Sequence, residues 1–292
     1  MLVLILFVIT GCEQGSSNTN SLGAKGLIIK FLDNNPPMEL RENQNFRVAI
    51  EVENGIKKEI PYTLCVSDTP SNDYGGIKGE DCIQDTVPAA IETSTSEIVS
   101  SFSNPIYFPE REFYSYNNLE FGVDTSTISA EVSYDLDTVH TGQVCLLRDF
   151  DVDIPSGVDC GIQQTINGLN SEGGPIEISK VDVDLSPQGN GKVDVFLDVT
   201  LRKTGEGKII FREPGDNSVS LEVRVGNTKF ECSGLTDGLV KMTETNKKVN
   251  CKAIIQVDEN TWGYTDVVKV RTSYTHVITE SKSISLKSEV GA

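Results

Sequence analysis

The chain has 292 residues and a formal net charge of −18, with 43 acidic against 25 basic side chains and only two histidines. That imbalance disfavours nucleic acid and anionic membrane surfaces as partners, because both need a basic footprint. At about one domain per 150 residues the length points to two domains, and the lack of any long helical periodicity points to a mainly β chain.

Met1 to Thr10 is an apolar run of signal-sequence length, too short to span a bilayer. Ile9-Thr10-Gly11-Cys12 follows its end and resembles the lipobox of prokaryotic lipoproteins. The resemblance implies that residues 1–11 are a lipoprotein signal peptide and that Cys12 carries the lipid. The protein would then be exported and held at the outer face of a cell membrane. One acyl chain binds only marginally, so stable anchoring implies two or more. The other reading of the same run is a buried N-terminal strand. Residues 12–25, containing SSNTNSLGAK, read as a flexible tether.

The first predicted domain covers residues 26–165. It opens with the short strand LIIKFL, which Asn34, Asn35, Pro36 and Pro37 terminate. In FRVAIEVE, Phe46, Val48, Ile50 and Val52 face one way and Arg47, Glu51 and Glu53 the other, the mark of a half-buried strand. Asn54-Gly55 then predicts a tight hairpin turn into IPYTLCV. A less regular stretch carries Phe102, Tyr107, Phe108, Phe113, Tyr114, Tyr116 and Phe121. Alternation resumes in STISAEVSYDL, and QVCLL closes the domain.

Residues 166–175, with NGLNSEGGP, read as a linker, and residues 176–292 as a second domain. IEISKVDVDL and KVDVFLDVTLR flank a turn at Gly189-Asn190-Gly191, and later strands include SLEVRV, VNCKAIIQV and DVVKVRTSYTHVI. Val132-Ser133-Tyr134 and Thr272-Ser273-Tyr274 read either as the trace of an internal repeat or as ordinary strand composition. The predicted fold is all-β, two antiparallel β-sandwiches in tandem. GLIIKFLDNNPP followed by FRVAIEVENG resembles the immunoglobulin-like, CARDB-like modules of prokaryotic and especially archaeal cell surfaces. That resemblance implies immunoglobulin-like sandwiches in a surface protein.

Setting Cys12 aside leaves six cysteines in three neighbouring pairs: Cys65 with Cys82, Cys145 with Cys160, and Cys232 with Cys251. Six cysteines allow about 15 connectivities, and short loops close most readily. Two bridges would fall in the first domain and one in the second. None of the pairs has CxxC spacing, so neither zinc nor thioredoxin-like chemistry is supported. Charge is also unevenly placed: residues 26–170 hold 24 acidic and 8 basic side chains, a net of −16, whereas residues 171–292 hold 18 and 16, a net of −2.

Catalytic signals are sparse. There is no GxSxG, HExxH, GxGxxG or GxxxxGK[ST] motif, and His140 and His276 read as surface strand positions, so no enzyme activity is expected. Asp149, Asp151 and Asp153 alternate beside a predicted disulfide loop and offer the oxygen ligands that calcium prefers, with a solvated acidic loop as the simpler reading. No other cofactor is expected. Tyr107, Phe113, Tyr114 and Tyr116, interleaved with Asn and Ser, have the composition of a recognition surface, or of rings that cap the sandwich core. The expected function is a non-catalytic adhesion, binding or envelope-structure module, whose partner is a surface protein or glycan. The alternatives are a carbohydrate-binding accessory or hydrolase, and a subunit of a surface filament.

Overall fold

The computed structural model describes residues 26–69, 74–95, 97–119, 124–149, 160–211, 216–258 and 260–288; Cys12 and its flanking segments lie outside them. Every regular element among the described residues is a β-strand. The principal strands are β1 (Leu27–Phe31), β2 (Val48–Asn54), β3 (Ile60–Asp68), β4 (Asp81–Val87), β5 (Ile106–Phe108) and β6 (Thr125–Leu147). They continue as β7 (Gln163–Asn167), β8 (Ile176–Gly189), β9 (Lys192–Lys203), β10 (Ser218–Val225), β11 (Glu231–Ser233), β12 (Asn246–Gln256) and β13 (Gly263–Lys287).

Alternation decides how these strands pack. In β9, Val193, Val195, Leu197, Val199 and Leu201 are all buried while the residues between them face outward. β8 shows the same period from Ile176 to Leu185, with one irregularity at Ile178/Lys180. The turn between them takes left-handed φ at Gly189, Asn190 and Gly191, which is why small residues occupy it. The expected tight turn at Asn54-Gly55 is not formed. Asn54 is instead buried, its amide donating to the Lys58 and Pro88 carbonyls while its side-chain oxygen accepts from the Ile56 N–H, and this closes a wider loop.

Three sheets carry the layers of the β-sandwich architecture. β1, β2 and β5 lie in that order in one, with Ser101–Phe102 paired to β2. A second runs β7-β8-β9-β12-β11, and the largest, of nine strands, contains β10-β13-β6-β3-β4. The inward side chains merge in one continuous apolar cluster that draws residues from both halves of the sequence.

The two halves also share a strand plan. Leu27 faces Asn54 where β1 meets β2, and Ile176 faces Lys203 where β8 meets β9. β3 lies on β6 from Thr63 opposite Ser133 to Asp68 opposite Ile128; β10 lies on β13 from Ser220 opposite Ser273 to Val225 opposite Val268. The final strands β6 and β13 then pair with each other, antiparallel, from Thr125 opposite Ser285 to Leu147 opposite Gly263. At about 3.4 Å per residue this ribbon is about 75 Å long and runs through both halves. In the segment 166–175, Ile166 and Asn167 end β7, and Asn170 exchanges two backbone hydrogen bonds of 2.9 Å with Thr141 of β6.

Two tyrosines tie the ribbon to the opposing layers. The Leu27 N–H donates to the Tyr134 hydroxyl at 2.9 Å, and the Ile176 N–H donates to the Tyr274 hydroxyl at 3.1 Å. Each tyrosine stands on one strand of the long ribbon, Tyr134 on β6 and Tyr274 on β13, and holds the first residue of β1 or β8. Those N–H groups are buried and would otherwise lack a partner, so each bond prevents a loss of about 1–3 kcal/mol. Three disulfides, Cys65–Cys82, Cys145–Cys160 and Cys232–Cys251, add covalent closure.

Candidate functional site: an aromatic face on the acidic half

Because Val48, Ile50 and Val52 of β2 point into the core, Arg47, Ala49, Glu51 and Glu53 belong to the opposite face. Strand register sets Tyr107 beside Ala49, Phe102 beside Glu53 and Lys30 beside Glu51 on that face. Phe102 is 49% exposed and Tyr107 44%, and Phe113, just beyond β5, is 57% exposed. Each of the two phenylalanines has a cation over it. The Lys30 ammonium lies 5.8 Å from the Phe102 centroid while pairing with Glu53 at 2.5 Å. The Arg47 guanidinium sits 4.6 Å from the Phe113 centroid and donates from Nε to the Glu112 carbonyl at 2.9 Å. Such contacts are worth about 0.5–1 kcal/mol at exposed positions and fix the orientation of the rings. The result is a set of exposed, oriented rings beside charged groups on a sheet.

Tyr114 and Tyr116 take a different place. Tyr116 is fully buried, stacked on Phe46 with centroids 5.2 Å apart, and its hydroxyl donates to Asp68 Oδ2 at 2.7 Å. The same carboxylate oxygen accepts the Ile77 N–H at 3.0 Å, and burial raises the Asp68 pKa above the usual carboxylate range. Gly76 is required here. It has a left-handed φ, and a Cβ on it would lie 2.3 Å from Asp68 Oδ2 and 2.4 Å from the Tyr116 ring. Tyr114 is half-buried and donates its hydroxyl to Asp81 Oδ2 at 2.5 Å. These two tyrosines prop the segment carrying Phe113 against β3 and β4, which Cys65–Cys82 staples together. Of the other rings in the stretch, Phe108 is in the core and Phe121 lies outside the described residues.

The histidines are not at the surface, contrary to the sequence reading. His140 and His276 are both buried, because β6 and β13 continue their alternation far past the point where the sequence pattern fades. Counting by twos from Ile128 places Tyr134, Leu136, Thr138 and His140 on one inward face. Among the described residues, His140 Nε2 and the nearby Thr272 Oγ1 have no hydrogen-bond partner. His276 is fully engaged. Its Nε2 lies 2.7 Å from the Glu206 carbonyl, which only accepts, so Nε2 bears the proton and Nδ1 accepts from the Tyr134 hydroxyl at 2.8 Å. Burial pushes both pKa values down to about 4, so both rings are neutral at physiological pH.

Asp149 is described, but Asp151 and Asp153 are not, so the calcium expectation lies outside the described residues. Among those residues the one grouping of metal-type ligands is Cys65, Glu80 and Cys82, and its two sulfurs are bonded to each other. No described helix is long and apolar enough to cross a membrane. Trp262 packs partly buried against the core, and its carbonyl accepts from the Arg148 N–H at 3.0 Å.

No family model matches the sequence, and no curated protein matches it. Among solved structures, Escherichia coli alpha-2-macroglobulin activated by porcine elastase aligns with 91% of this chain at 11% identity and a TM-score of 0.16. The chain spans 22% of that protein's length, and a score so low carries no argument about fold or function.

Proposed function

We propose that this is a lipid-anchored cell-surface protein of the immunoglobulin-like class that binds a partner without catalysing a reaction. The observation that carries the binding role is the exposed trio Phe102, Tyr107 and Phe113, oriented on a disulfide-stapled β framework whose half of the chain has a net charge of −16. Large rings on a rigid scaffold make contact area at little cost in conformational entropy, and the surrounding acidity favours a partner with a basic surface. The buried His276, with both ring nitrogens already hydrogen-bonded, supports a non-catalytic role, since it has no nitrogen left to take a proton from an external substrate. Export is supported by the apolar run ending at Cys12 and by three disulfides, which persist in oxidising compartments.

The test is the intact mass of the protein from membranes of its native host, before and after reduction. A Cys12 start carrying acyl chains, with six thiols released by reduction, is expected. Retention of Met1 with seven free thiols would overturn the reading. For the binding face, Phe113→Ala and Tyr107→Ala should weaken capture of the partner from the cell surface while leaving the fold intact.

A further inference from the structure

The outer face of the five-stranded sheet has a property that its sequence pattern conceals. Phe196 occupies an outward position in β9 between Asp194 and Asp198, yet it is 39% exposed, and Ile254 of the adjacent β12 is 61% exposed. Register lines up one side chain from each of the five strands in a single row: Gln163, Asp184, Phe196, Lys252 and Glu231. At about 4.8 Å between strands the row extends about 19 Å across the sheet. A groove of about 520 Å³ lies at its Gln163 end, bounded by Asp182, Asp184, Phe196 and Asp198. Another of about 610 Å³ lies at its Glu231 end, bounded by Lys229, Lys252 and Ile254.

The neighbouring row, Thr165, Asp182, Asp198, Asn250 and Ser233, is built of the same kinds of group, but its polar atoms satisfy one another. Thr165 donates to Asp182 at 2.8 Å, Asn250 donates to Asp198, and Lys180 and Lys248 pair with Asp182 and Asp198 at 2.8 and 2.5 Å. In the Phe196 row the carboxylates of Asp184 and Glu231 and the amide of Gln163 make no such bonds among the described residues. Lys252 lies 4.9 Å from the Phe196 centroid and 3.6 Å from Asp194. The face therefore offers unused donors and acceptors of both kinds on either side of an exposed ring.

We propose that this row is a binding site for a neutral polysaccharide lying across the strands, with Phe196 against the C–H face of a sugar ring and Gln163, Asp184, Lys252 and Glu231 hydrogen-bonded to hydroxyls. Charge decides for a neutral polyhydroxyl chain over a basic peptide. Four of the five row residues belong to the segment 171–292, which holds 18 acidic and 16 basic residues and so exerts little long-range attraction on a cation; the fifth, Gln163, is uncharged. The row itself mixes two carboxylates with an ammonium and an amide, which matches hydroxyl groups that donate and accept. The site is separate from the aromatic face of the acidic half and stands whether or not that face binds a protein.

The experiment is affinity electrophoresis of the disulfide-intact chain in native gels containing soluble mannan, β-glucan, xylan or dextran, with a polylysine gel as the charge control. Retardation by at least one polysaccharide is expected, falling about tenfold in apparent affinity for Phe196→Ala and for Asp184→Ala but unchanged for Phe113→Ala. Matching denaturation midpoints would show that the variants remain folded. Retardation by none of the four polysaccharides overturns the proposal. So does equal retardation of wild type and Phe196→Ala, or retardation by polylysine alone that Asp184→Ala abolishes.

Discussion

The two halves of the molecule repeat one strand plan, yet they differ in almost everything fastened to it. Both tie a strand to the long β6–β13 ribbon through a tyrosine hydroxyl, Tyr134 on Leu27 and Tyr274 on Ile176. Tyr134 in turn donates to His276, whereas the equivalent ladder position opposite Tyr274 is Leu136. The first half places a disulfide in the nine-stranded sheet, between β3 and β4; the second places one in the five-stranded sheet, between β11 and β12. Nearly all the excess negative charge is in the first half. What the plan requires is register and the tyrosine bond. Bridges, charge and surface rings are fastened to it at different places in the two halves.

The largest expected effect separates the histidine-backed tyrosine from its counterpart. Folding lowers the pKa of His140 and His276 from an ordinary 6.5 to about 4, so the unfolded chain takes up protons that the folded chain refuses. Their contribution is fully present above pH 6.5 and is lost as the pH falls through 6.5 toward 4, by about 3 kcal/mol for each histidine. Urea midpoints between pH 7 and pH 4.5 should therefore drop steeply. His276→Leu, which copies Leu136, should lower the midpoint at pH 7 and flatten the acid slope. An unchanged slope in this variant would place the pH dependence elsewhere.

Each disulfide closes a loop with a sequence separation of 15 to 19 residues and should contribute about 3 kcal/mol in the chain-entropy account. Paired serine replacements of Cys65 and Cys82, compared with those of Cys232 and Cys251, should cost similar amounts by chemical denaturation. A large inequality would mean that the bridges are not interchangeable fittings on a common plan.

The tyrosine pair comes next. Tyr274→Phe leaves the buried Ile176 N–H unpaired, at about 1–3 kcal/mol, while Tyr134→Phe deprives both the Leu27 N–H and His276 Nδ1 of a partner and should cost more. Equal losses would show that the His276 bond adds nothing. The smallest effect belongs to the surface. Phe113→Ala and Phe196→Ala should each cost no more than about 1 kcal/mol, the worth of an exposed cation–π contact, against about 1–3 kcal/mol for Tyr116→Phe, whose hydroxyl holds Asp68. Calorimetry on the three variants separates rings that face a partner from rings that hold the scaffold.

Local pattern carried the all-β class. Period-two alternation in FRVAIEVE and KVDVFLDVTLR reflects a geometry in which successive side chains must point to opposite faces, and the structure buries Val48, Ile50, Val52 and the Val193–Leu201 set accordingly. The cysteines that are neighbours in sequence are also neighbours across adjacent strands at Cys65/Cys82 and Cys232/Cys251, since hairpin register brings nearby positions together. The aromatic stretch was visible as a composition, but its division into exposed Tyr107 and Phe113 and enclosed Tyr116 was not. That division depends on Asp68, Phe46 and Gly76, which arrive from distant parts of the chain. His140 and His276 were misplaced for a related reason, because polar residues at inward positions look like the end of a strand until their buried partners are known.

The sequence by itself determined the strand periodicity, the concentration of charge in one half and the short cysteine spacings, because each is a property of residues close together along the chain. Only the tertiary structure decided that β6 and β13 join the halves in one ribbon, that two tyrosines tie β1 and β8 to that ribbon, and that Gln163, Asp184, Phe196, Lys252 and Glu231 stand in one row. Those arrangements depend on register between strands far apart in sequence, and a shift of a single residue would turn every side chain to the other face.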